Sequence, residues 1–157
     1  MKRIAAVYIA LIALIIGCQE SVSPYSDNIR LLTSNTKKVW SVVAVESADE
    51  AEGINCEEDD ILTLELFDEK RNQPSFSLAD GFVKCDFSES SNVTDEGTWR
   101  LNNAQTRIIL TSVIGELRIN NLYDIIELSE RKMILRRTEE SYHNLTVTTT
   151  TITYESL

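Results

Sequence analysis

Ile61 to Phe67 reads ILTLELF, and similar alternation of apolar and polar positions recurs through most of the chain. Leu62, Leu64 and Leu66 fall on one side of an extended segment, with Thr63 and Glu65 on the other. A helix would scatter these residues around its circumference, so the pattern requires strands with one buried face. Isolated hairpins are at best marginal in water, and such strands must assemble into a sheet closed or covered on its apolar side.

Further segments follow the same rule. Val39 to Val45, Ser75 to Leu78, Gly97 to Leu101, Arg107 to Thr111, Gly115 to Ile119, Tyr123 to Leu128, Met133 to Thr138 and Leu145 to Tyr154 each read as a strand. The last is rich in threonine, whose β-branching suits a barrel-closing or edge strand better than a helix. Turn signals at Asp80-Gly81, Asn102-Asn103, Asn120-Asn121 and Ser129 to Lys132 separate them at intervals of roughly 8–12 residues. Asn28 to Asn35 carries Ile29, Leu31 and Leu32 and suits a helix of one or two turns. The expectation is an all-β domain over residues 29–157. It is an antiparallel up-and-down meander of about eight or nine strands after a short helix, closing into a barrel or folding into a sandwich.

The first residues belong to a different logic. Lys2 and Arg3 precede an uncharged apolar run from Ile4 to Gly17, too short to span a bilayer, which takes about 20 residues. Its charge and length are those of a secretory signal. Leu14-Ile15-Ile16-Gly17 before Cys18 resembles the bacterial lipobox. That resemblance implies cleavage after Gly17 (residues 1–17 as signal peptide), diacylation of Cys18 and acylation of the new amino terminus. The expected location is the bacterial cell envelope, anchored by lipid, with the outer membrane favoured and its face left open. Residues 18–28 are polar and aperiodic, and read as a tether.

The cysteines follow from that compartment. With Cys18 taken by lipid, Cys56 and Cys85 form an even pair in an oxidising space, where a disulfide is expected. Closing a loop of that length would stabilise the fold by roughly 3.6 kcal/mol on a chain-entropy estimate. Cys56 is followed by Glu57, Glu58, Asp59 and Asp60. Adjacent acids diverge in an extended segment, whereas a calcium loop wants alternating ligands around a glycine, so this run reads as a solvated mouth to the following strand.

An ordered set of residues carries a family resemblance. Trp40 in the first strand is followed by Cys56 with Asp59-Asp60 and an apolar strand. Cys85, Gly97-Thr98-Trp99-Arg100-Leu101, Ile108-Ile109-Leu110, Ile126-x-Leu128 and Met133-x-Leu135 come next. This order, from Lys37 to about Arg137, is similar to the small lipocalin-like lipoproteins of Bacteroidota. The resemblance implies an up-and-down lipocalin-like barrel, a cysteine pair of this kind and a cavity for a small apolar ligand. It also implies a late-strand arginine, Arg136 or Arg137, stacked over Trp40 through cation–π contact. Two departures stand out: Lys38-Val39-Trp40 replaces the family's Gly-x-Trp, and the segment beyond Glu139 has no counterpart.

Function is bounded more by exclusion. Without the signal peptide, 13 basic residues face 25 acidic ones, a balance that repels nucleic acid. His143 is the single histidine, and no Gly-rich phosphate loop occurs. No cofactor, metal site or catalytic residue is expected, and an enzyme is not. Trp40, Leu64, Phe76 and Trp99 share one strand parity and would line a ligand pocket if the interior is open. Small barrels are also often filled by their own side chains, and the residues leave both arrangements open. A ligand-binding barrel and a filled barrel acting as a protein-interaction module are therefore the two readings; the protein partner of the second is unspecified. The membrane is the partner of Cys18 in either case.

Overall fold

The computed structural model describes residues 26–47, 59–69, 72–81, 93–114, 117–141 and 146–157. The readings made at Cys18, Cys56, Cys85 and His143 lie outside the described residues.

A seven-residue helix, α1 (Asp27–Thr33), precedes eight strands. These are β1 (Lys37–Ser47), β2 (Ile61–Asp68), β3 (Gln73–Ala79), β4 (Val93–Leu101), β5 (Arg107–Ile114), β6 (Leu117–Leu128), β7 (Lys132–Ser141) and β8 (Thr146–Ser156). Each pairs antiparallel with its neighbour in sequence, and β8 also pairs with β1, so the sheet closes into an up-and-down barrel. Closure removes the unpaired edges that an open sheet would expose. The threonine-rich segment is the closing strand.

Two sequence expectations are corrected. Asn120-Asn121 does not turn the chain, and the two strands expected on either side of it are one twelve-residue strand, β6. Pairing with β5 runs straight through, Thr111 opposite Asn120 and Leu110 opposite Asn121. Thr111 Oγ1 donates to Asn120 Oδ1 at 2.7 Å on the outer face, giving an asparagine a side-chain partner inside the ladder. The helix also begins earlier than the expected boundary, taking Asp27 and Asn28 from the segment read as tether.

Cross-strand register places one set of side chains inside. Trp40 stands opposite Leu62, Leu64 opposite Phe76, Phe76 opposite Gly97 and Trp99 opposite Leu110. Trp40, Leu62, Leu64, Ile108, Met133 and Leu135 are almost wholly buried. Gly97 serves this packing by lacking a side chain: a Cβ there would collide with the Thr111 carbonyl and stand 2.9 Å from Phe76 Cε1.

The barrel is stoppered at the end where β1 begins and β8 finishes. Ser26 caps α1, its Oγ accepting from Ile29 N at 3.4 Å, and Ser34 ends it in the left-handed region with φ 50. Leu32 is buried against the core and Ile29 packs beside it, contributing roughly 1.5–3 kcal/mol for the buried leucine. Trp40 Nε1 donates to the Leu32 carbonyl at 3.1 Å, and Asn28 Nδ2 to the Gln105 carbonyl at 3.1 Å. Arg30 joins Glu130 at 2.6 Å. A seven-residue helix has little stability of its own, so these tertiary bonds hold it across the barrel floor.

Candidate functional site

The opposite half of the barrel is hollow. A cavity of about 350 Å³ lies within it, at the lower end of the range typical of small-molecule sites. Its floor is apolar: Val42, Leu62, Phe76, Leu110, Ile152 and Tyr154. Nearer the open end the wall turns polar, with Asp60, Asp95, Asn121, Arg137, Glu139 and Thr150. Those within strands follow the inward parity set by the register, and Asp60, just before β2, is itself buried, so the hollow is the barrel interior rather than a surface crevice.

Four of the polar residues are held by bonds to described neighbours. Ser112, itself buried, donates through Oγ to Asp95 Oδ2 at 2.5 Å. Arg137 pairs with Glu139 through Nη2, and its guanidinium carbon stands 6.0 Å from the centre of the Tyr123 ring. Asp60 is only 6% exposed, and its backbone carbonyl accepts from Val42 N at 2.8 Å, which fixes the entry to β2 against β1. Its burial corrects the reading of this acid as part of a solvated mouth.

The expected pocket residues divide between the two halves. Trp40, Leu64, Phe76 and Trp99 all point inward and are all buried. Phe76 lines the cavity, whereas Trp40 and Leu64 belong to the packed half near α1. Trp99 is tied by an Nε1 bond to the Glu65 carbonyl at 2.9 Å and borders a second hollow, about 550 Å³ and larger than the first. That hollow runs from Ile29, Leu66, Gln73 and Pro74 beside α1 to outward-facing Thr98, Arg100, Thr111, Arg118 and Asn120, so it is an open depression reaching onto the outer face of β4 to β6. The smaller, interior cavity is the better ligand site, because it surrounds its contents.

The arginine expected over Trp40 is elsewhere. Lys38 occupies that place, its Nζ 4.1 Å from the ring centroid. Arg137 pairs with Thr150, six residues along β8 from the Ser156 that faces Trp40, a distance of roughly 20 Å along the strand. Arg136 points outward and reaches Asp124 at 3.6 Å.

The polar wall was missed in the sequence, although a signal for it was present. Asp60 lies two residues from Leu62, Asp95 four from Trp99, Asn121 two from Tyr123, and Arg137 two from Leu135. Even spacing from an inward apolar residue marks an inward polar one within a regular strand.

Fold and cavity together define the class: a closed, eight-stranded, up-and-down barrel with a one-ended interior, the architecture used by lipocalins. No family model and no curated protein sequence matches the chain. Among solved structures it is similar to an odorant-binding protein from bovine nasal mucosa, at 16% identity and a TM-score of 0.47, over 86% of this chain and 77% of that one. Bovine odorant binding protein in complex with undecanal gives 15% identity and a TM-score of 0.46, over 88% and 77% respectively. At those values the likeness carries no argument about ligand, and the class rests on the strand register itself.

Proposed function

We propose that this chain is a lipid-anchored protein of the bacterial envelope whose barrel binds or carries a small, largely apolar molecule. The observation that carries the reading is the interior cavity, with an apolar floor below a polar wall. Such a shape removes an apolar body from water while leaving a polar end to be oriented. The anchor and the envelope location are supported by the lipobox at Leu14 to Cys18, and the family reading by the ordered residues from Trp40 to Leu135. A filled interaction module is the weaker alternative, since an interior of this volume is not filled and a closed sheet offers no free strand edge to a partner.

Native mass spectrometry of the protein purified from its own envelope tests the reading, together with uptake of the apolar dye Nile red. The expected result is a co-purified small molecule or saturable dye binding at one site per chain. Leu110→Trp, which fills the cavity from its floor, should abolish the uptake. An intact protein that carries nothing and takes up no dye would reject the proposal.

A further inference from the structure

We propose that the open hollow beside α1 is a second binding site, taking a single-chain amphiphile with an anionic head, a phosphate or carboxylate on an alkyl body. It shares no described lining residue with the interior cavity and does not depend on what that cavity holds. The head would lie between two guanidinium groups. Arg100 of β4 and Arg118 of β6 are both exposed, and both border the hollow. Arg30, Arg107, Lys132, Arg136 and Arg137 each pair with a carboxylate, whereas neither Arg100 nor Arg118 does so among the described residues. No acidic side chain borders the hollow among those residues either. On a chain whose net charge is −10, the described lining of this hollow presents the opposite sign.

The strand register sets the two arginines on either side of one row. Thr98, Thr111 and Asn120 stand opposite one another across β4, β5 and β6 on the outer face. Arg100 lies two residues from Thr98 toward α1, and Arg118 two residues from Asn120 toward the cavity mouth. Thr111 Oγ1 donates to Asn120 Oδ1 at 2.7 Å, which leaves the amide nitrogen of Asn120 to donate outward. A guanidinium offers a planar fork of N–H donors that matches carboxylate or phosphate oxygens, so the row is equipped to hold an anion from two sides. Toward α1 the border turns apolar, with Ile29, Leu66, Pro74 and Trp99. An alkyl chain running from the row toward α1 is removed from water there. The volume of about 550 Å³ suits one such molecule. A small inorganic anion would leave the apolar border in water, and an uncharged alkyl body would leave the arginines unmatched.

Titration of the intact, nitrogen-15-labelled protein with octyl phosphate tests this. The readout is the indole N–H signal of Trp99, which borders the hollow, against that of Trp40, which does not. A saturable movement of the Trp99 signal is expected, with octanol and inorganic phosphate each binding about tenfold more weakly. Arg100→Gln and Arg118→Gln should each weaken octyl phosphate by about tenfold, and added salt should weaken it in the wild type. Both side chains are exposed, so neither change threatens the fold. Leu110→Trp, which fills the interior cavity, should leave the Trp99 response in place. An unmoved Trp99 signal, octanol or inorganic phosphate binding as tightly as octyl phosphate, or arginine variants that bind like the wild type would overturn the proposal. A response to phosphatidylglycerol vesicles with none to octyl phosphate would assign the arginines to a lipid surface and overturn it as well. Nile red uptake decides the interior cavity separately, so the failure of one site leaves the other standing.

Discussion

Lys38 Nζ stands 4.1 Å from the centre of the Trp40 ring, the two side chains two residues apart on the inner face of β1. The same ammonium donates to the Leu31 carbonyl at 3.0 Å and the Glu130 carbonyl at 2.6 Å. One cation thus joins the end of α1, the β6–β7 turn and the aromatic core. A buried lysine is tolerated there because carbonyls and an aromatic face replace its water.

The pH dependence of stability should reveal this arrangement. Burial pushes Lys38 below the ordinary lysine value of 10.5, with Glu130 opposing and Arg30 adding to the shift. Between the lowered folded value and 10.5 the unfolded chain binds the proton more tightly, so the stability contributed by Lys38 rises with pH across that window and falls as pH drops through it. Wild type should therefore gain on Lys38→Met as the medium is made alkaline, measured by urea unfolding. A difference that stays flat to 10.5 would count against the burial described.

Gly97→Ala should destabilise the barrel by about 1–3 kcal/mol, the usual cost of overpacking. The added methyl has no room between the Thr111 carbonyl and Phe76, whose ring borders the cavity. Chemical denaturation measures the loss, and dye affinity should fall with it. An unchanged midpoint would mean that β4 shifts to absorb the methyl.

Asp124 links three strands at the outer surface. Its Oδ1 accepts from Arg107 Nε at 2.6 Å, and its Oδ2 is 3.6 Å from Arg136. The bond from Arg107 is the main reason its carboxyl is held below the ordinary value of 3.8. The contribution is present above that value and is lost as pH falls through the lowered one. Asp124→Asn should consequently flatten the acid limb of the stability profile, and salt should weaken the wild-type advantage. Parallel acid limbs in the two proteins would refute it.

The cysteine readings are open to a direct test. Membrane fractions should retain the wild type and lose Cys18→Ser, as expected of a lipid anchor. Cys56→Ser and Cys85→Ser should each lower stability by roughly 3.6 kcal/mol or somewhat less, and alkylation of the unreduced protein should leave both thiols unlabelled. Free thiols at both positions in envelope-purified protein would remove the disulfide from the account.

How far the fold was legible follows from what a period of two can encode. It assigns each residue to a face, and Trp40, Leu64, Phe76 and Trp99, which share one parity, are all buried. It does not give height along the barrel. Height depends on register and shear between strands, which arise only once β8 meets β1. Phe76 therefore reached the cavity while Trp40 and Leu64 became packed core. Asn120-Asn121 misled for a related reason: asparagine favours turns through local hydrogen bonds, but here the ladder and Thr111 supply those bonds instead. The polar wall was hidden by assuming that inward means apolar.

The stopper formed by α1, Lys38 and Trp40 has a consequence for how this protein can change over generations. Cohesion is concentrated at one pole and the cavity lies at the other, with only the lengths of the strands connecting them. Substitutions among Asp60, Asp95, Asn121 and Thr150 can redraw the cavity wall without touching the pole where α1 packs. A scaffold divided in this way can reshape its interior while remaining the same barrel.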